Sequence, residues 1–306
     1  MNNRQKALAA VIACVLFWGL SFISIKIAVE VFPPMTLGAL RFALAVIILF
    51  FIKGKLSPGE KVQKADLPFL AGAGLSGVTF YFFFENNGVA LIPASEASII
   101  IGSIPVITLI AEGVKEKILS RRKEGSKTGE KPALHKAILT VIGALISLSG
   151  VALVAGVSLT LSGTALGYLF MAGACVSWVC YCFLTAPLFK LHSRIFIVFW
   201  QSFIGLLGFL PFVIFEPSWK MPGLYVWGNV VFLGLCCSAL GYWLYALALR
   251  DLGVGMATLF INFIPVISAV GGFFILGERL QPLQWLGALL VLAGVYLAMA
   301  VSGKKG

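Results

Sequence analysis

Apolar runs closed by charge, proline or glycine recur from one end of the chain to the other, and they set the expected elements. Runs lie near 7–29, 34–53, 67–91, 93–112, 136–155, 163–187, 195–215, 223–249, 255–277 and 282–301. Each approaches the roughly 20 residues that a helix needs to cross the hydrocarbon core of a bilayer. The runs lack the strict alternation of barrel strands, and in hydrocarbon every backbone N–H and C=O must be paired within its own segment. The expected fold class is therefore all-α and polytopic, with ten transmembrane helices.

The runs also repeat. Shifted by 160 positions, 94–108 lies against 254–268 with six identities: Ala97/Ala257, Ile101/Ile261, Ile104/Ile264, Pro105/Pro265, Val106/Val266 and Ile107/Ile267. The same shift pairs Trp18 with Trp178 and Arg41 with Gln201, and a shift of 144 pairs Gly143 and Gly150 with Gly287 and Gly294. The difference falls in a basic loop near 113–136, read as a cytoplasmic insertion. Two units, 1–160 and 161–306, are expected. Each holds five helices, an odd number, so the second runs upside down relative to the first. Inverted repeats of this kind place a transporter's binding site near the bilayer midplane, between the units.

Composition fits that picture. The 306 residues are 60% hydrophobic and only 11% charged, against the roughly 25% charged of soluble domains. The net charge of +11 reads as topology rather than nucleic-acid binding, because all but Lys26, Arg41, Lys220 and Arg279 of the 23 Lys and Arg fall on one side of the alternating runs. Both termini are expected in the cytoplasm of a multi-pass cell-membrane protein. The first run follows a basic start but has no small-residue cleavage site before Lys26, so it is expected to be retained. The six cysteines lie inside apolar runs without metal-ligand spacing and read as small packing residues. Gly72, Gly74 and Gly77 match a dinucleotide fingerprint, yet no strand surrounds them and close helix packing explains them. No cofactor or metal is expected.

Trp18-Gly19 in the first helix, Arg41 in the second, the central prolines of helices four and nine, and Gly277-Glu278-Arg279-Leu280 before a glycine-punctuated tenth helix are together similar to the EamA-type branch of the drug/metabolite transporter superfamily. That resemblance covers nearly the whole chain. It implies a ten-helix secondary carrier with a central cavity, often an exporter of amino acids or other small metabolites.

Candidate contacts with a solute are polar or aromatic groups that are costly in lipid. Arg41, two turns into the second helix, needs either an ion pair or a solute. Glu85 is its expected partner and a candidate proton carrier. Lys26 shares a face with Trp18 and ends either at the cavity or at the interface. Trp178 on helix six and Tyr242 and Tyr245 on helix eight offer rings for a cation or a planar metabolite, against the alternative of plain packing. Asn86, Gln201 and Asn262 must either bridge helices or meet the solute. Pro265 frees a carbonyl near Ile261, and Pro105 does the same in the first unit, so both are candidate hinges.

The function expected is secondary active export of amino acids or related small metabolites by alternating access, with coupling to protons through Glu85. The alternatives are a membrane-embedded enzyme or sensor using the same cavity, or a channel. The two histidines, His135 and His192, fall in expected cytoplasmic loops, away from any cavity, which disfavours an enzyme. The partners expected are a small-molecule solute and the lipid bilayer, and no nucleic acid.

Overall fold

A computed structural model describes residues 2–91, 97, 100–122, 134–154, 165–276 and 282–302. The Gly277–Leu280 element and the middle of the basic loop lie outside the described residues. Helices account for nearly all the rest: α1 (Asn3–Val29), α2 (Pro34–Leu56), α3 (Leu67–Leu91), α4 (Ile104–Arg122), α5 (Leu134–Val154), α6 (Ala165–Thr185), α7 (Arg194–Val213), α8 (Leu224–Leu252), α9 (254–276) and α10 (Pro282–Ser302). Among the described residues, six helices (α1, α2, α3, α6 prolonged to Lys190, α7 and α8) are long and apolar enough to cross a membrane. Large apolar side chains also cover the outside of the bundle, among them Phe50, Phe51, Phe215, Leu289 and Tyr296. That is the surface a bilayer solvates and water does not.

Local signals set the helix ends. Asn2 and Gln5 form a capping box at α1: the Gln5 amide donates to Asn2 Oδ1 at 2.8 Å and the Asn2 amide to Gln5 Oε1 at 2.9 Å. Pro33 has no side chain to cap α2, and Glu216, just beyond α7, supplies one. Its carboxylate accepts from the amides of Met35 (2.7 Å) and Thr36 (2.6 Å) and from Thr36 Oγ1 (2.8 Å). At the other end of the same helix pair, Glu60, just beyond α2, accepts from the amide of Ser193 at 3.1 Å, ahead of α7. So α2 and α7 lie antiparallel, each fastened at its start by a carboxylate beyond the other's end. Glu216→Ala should lower stability by about 1 kcal/mol, read by thermal unfolding in detergent.

Beside Glu60, Nε2 of His192 lies 2.8 Å from Oδ2 of Asp66, and the imidazole stacks on Phe196 at 4.4 Å. The hydrogen bond from His192 holds the Asp66 carboxyl below its ordinary value, helped by the Gln63 amide. A carboxyl lowered in the folded state contributes stability at neutral pH and loses it as pH falls through the carboxylate range. Unfolding followed between about pH 5 and pH 3 should therefore show a steeper loss for the native chain than for Asp66→Asn.

α3 and α8 each contain a π-helical stretch, Leu75–Phe80 and Leu233–Leu240, ending 160 positions apart. A π turn leaves carbonyls without their usual amide partners. Two are met by side chains from across the bundle: Tyr242 Oη donates to the Gly77 carbonyl at 2.5 Å, and Trp18 Nε1 to the Cys237 carbonyl at 3.0 Å. Sulfhydryls do similar work, Cys14 toward the Gly241 carbonyl at 3.3 Å and Cys175 toward the Ile100 carbonyl at 3.2 Å. α9 breaks into a 3-10 turn at Phe260–Asn262, just before Pro265. Gly102 and Ser103 form a turn just before α4, ahead of Pro105. α5 and α10 pack backbone to backbone through Gly150 and Gly294.

Candidate functional site

Side chains from α1, α2, α3, α6, α8 and α9, with those at the start of α4 and just before it, line a central cavity. Trp18, Ser21 and Phe22 come from α1, Arg41 from α2, Tyr81, Phe82 and Glu85 from α3, and Trp178 and Tyr242 from α6 and α8. Four isoleucines, Ile101, Ile104, Ile261 and Ile264, close it on the α4–α9 side. Ile261 lies within the 3-10 turn of α9 and Ile264 just beyond it.

Arg41 is 2% exposed. Its Nε donates to Ser238 Oγ at 2.9 Å and its guanidinium lies 4.3 Å from the centre of the Phe82 ring. The Nη1 atom is buried without a hydrogen-bond partner. Glu85 is 3% exposed and accepts from Tyr81 Oη at 2.7 Å through Oε1. Arg41 and Glu85 both line the cavity, but no ion pair within 4 Å joins them, so the direct pairing expected from sequence is replaced by Ser238 and Tyr81 as separate supports.

Beside them is an aromatic cluster. Trp18 meets Trp178 edge-on at 5.2 Å, and Tyr81, Tyr181, Tyr242 and Tyr245 all contact Trp178. Tyr245 lies behind the wall rather than in it, its hydroxyl accepting from Trp178 Nε1 at 3.4 Å.

The remaining sequence candidates sit elsewhere. Lys26 does not reach the cavity: its Nζ donates to the Val89 carbonyl at 3.1 Å, near the end of α3. Asn86 donates to the Pro34 carbonyl at 2.8 Å, Gln201 to Thr185 Oγ1 at 2.8 Å and Asn262 to Ser147 Oγ at 2.7 Å. These amides bridge helices, and the oxygen of each stays buried without a partner. Tyr81, Phe82 and Ser238 were not singled out from sequence, and the four isoleucines were marked only as identities of the repeat. Tyr81 carried a signal, since it stands four residues before Glu85 on one helix face. Ser238 carried none.

The EamA-like transporter family model matches twice, over residues 5–121 and 165–300. The chain belongs to the EamA-like transporter family. Its curated relatives match end to end. An uncharacterised transporter of Archaeoglobus fulgidus is 29% identical over 93% of this chain and 95% of its own length. A "Probable terminal-alkyne amino-acid exporter" of Streptantibioticus cattleyicolor is 26% identical over 96% and 93%. A "Probable amino-acid metabolite efflux pump" of Escherichia coli is 25% identical over 97% and 95%. A solved crystal structure superposes with a TM-score of 0.72 at 20% identity, covering 98% of this chain and 99% of that one, a likeness of fold. This EamA-like protein is thus a multi-pass membrane protein with the role of a transporter.

Proposed function

We propose that this chain is a secondary carrier that exports amino acids or related small metabolites across the cell membrane by alternating access, with both termini in the cytoplasm. The observation that carries the reading is a cavity holding one cation and one anion, Arg41 and Glu85, walled by the paired tryptophans Trp18 and Trp178. Two relatives whose names speak of amino-acid export or efflux support the solute class. Ten spans in two inverted five-helix units are supported by the double family match, by the π stretches ending at Phe80 and Leu240, and by packing in which α1 lies on α8 as α6 lies on α3. Pro105 and Pro265, beside broken turns on α4 and α9, are the proposed hinges. Glu85 is proposed to carry the coupling proton.

The test is counterflow in proteoliposomes loaded with a mixed pool of amino acids and related metabolites. Accumulation of at least one solute, accelerated by solute on the far side, is expected. No accumulation of any solute, with or without a pH gradient, would sink the carrier reading, and flux that neither saturates nor responds to countertransport would favour a channel.

A further inference from the structure

The polar atoms around the cavity can be followed one by one, and nearly all are engaged by the protein itself. Trp18 Nε1 and Tyr242 Oη serve the π-turn carbonyls. Ser21 Oγ donates to the Trp18 carbonyl at 2.7 Å, Tyr81 Oη to Glu85, and Trp178 Nε1 to Tyr245 Oη. Two groups stand apart. One is Nη1 of Arg41, a charge-bearing donor buried with no acceptor. The other is the Glu85 carboxylate, which can accept several hydrogen bonds and is met in the described contacts by one neutral hydroxyl. Every other lining side chain, Phe22, Phe82 and the four isoleucines, is apolar.

A buried donor without an acceptor is unfavourable, and so is a buried carboxylate without a cation. A solute that supplies both partners relieves both. One carrying a second charge on its side chain would find no further partner there.

We infer that the cavity selects neutral zwitterions with an apolar side chain: the solute's carboxylate sits on the Arg41 guanidinium, its ammonium faces Glu85, and its side chain lies against the four isoleucines. The inference rests on the carrier reading for its biological sense but not for its chemistry. Ser238 acts as a positioning residue, because its hydroxyl takes Nε and so fixes the guanidinium where Arg41 lines the cavity. The Phe82 face holds the guanidinium plane from one side.

The test is ligand binding to purified protein in detergent or nanodiscs, read by the tryptophan fluorescence that Trp18 and Trp178 place at the cavity. The probes are L-leucine, L-leucinamide, 4-methylpentanoate, L-glutamate and L-lysine. Leucine should saturate, and each of the other four should bind at least about tenfold more weakly, as expected for loss of one charge-assisted hydrogen bond or burial of an unmatched charge. In Arg41→Gln the preference for leucine over leucinamide should shrink to within about threefold, and in Glu85→Gln the preference over 4-methylpentanoate should do the same. Leucinamide or glutamate binding as tightly as leucine overturns the assignment of the poles. So does failure of every probe up to about 10 mM while counterflow reveals another solute, a result that leaves the carrier reading standing. Leucine bound with the expected discrimination but no flux of any solute supports the site and overturns transport. Because the analogue series needs only the native chain, the inference stays open to refutation even where a variant fails to fold.

Discussion

Gly150→Val should leave little folded protein, and Gly294→Val should do the same. A Cβ at position 150 would sit 2.6 Å from both the Gly287 carbonyl oxygen and the Val291 amide nitrogen, and one at 294 would sit 2.5 Å from the Gly143 carbonyl oxygen and 2.6 Å from the Ser147 amide nitrogen. All four obstacles are backbone, so no rotamer change relieves them. Overpacking a well-filled interior typically costs 1–3 kcal/mol, and a backbone obstacle lies at or beyond the upper end of that range. Helix association in a bilayer depends on such close approach, because apolar side chains gain little from leaving lipid for one another. The measurement is the fraction of monodisperse protein and its melting point in mild detergent. Gly228→Ala, inside α8 with nothing within 4 Å of its added Cβ, is the control and should be neutral or stabilising by up to about 1 kcal/mol. Equal behaviour of the two valine variants and this control would refute the seam.

Glu85→Gln is the other large effect, and it falls on coupling rather than folding. Glutamine is nearly the same size and its carbonyl oxygen can still accept from Tyr81, so the wall of the cavity is preserved. It cannot take up or release a proton. Accumulation driven by a pH gradient should vanish at every pH tested, while solute exchange at saturating concentrations on both sides persists. Tyr81→Phe removes the supporting hydroxyl but keeps the carboxyl, and should retain gradient-driven accumulation at a reduced rate. Gradient-driven accumulation surviving in Glu85→Gln would remove Glu85 from the coupling.

Helices were legible because their signal is composition over a long window. The run near 34–53 appears as Pro34–Leu56 and the one near 67–91 as Leu67–Leu91. The π turns were not, since a shift from i−4 to i−5 hydrogen bonding leaves no mark on a segment that is apolar either way. Pairings across the bundle were equally silent. Glu216 caps Thr36 from 180 positions away and Ser238 supports Arg41 from 197, and neither residue type announces its partner. Burial also misled where it has two causes. Arg41 and Asn86 are both polar residues sunk among apolar ones, yet one lines the cavity and the other ties α3 to Pro34. Only the direction of each side chain separates a solute contact from an internal bridge.

The carboxylate caps on α2 and α7 carry a mechanical consequence. Glu216 and Glu60 fasten the two ends of one antiparallel pair, so that seam has no loose edge from which to peel apart. Under the alternating access proposed above, that line would act as a fulcrum, and leverage about it would fall on the helices across the cavity. There a turn at Gly102 and Ser103 precedes α4 and a 3-10 turn at Phe260–Asn262 interrupts α9, whose start is tied to α4 by Glu112 accepting from the Gly255 amide at 3.1 Å.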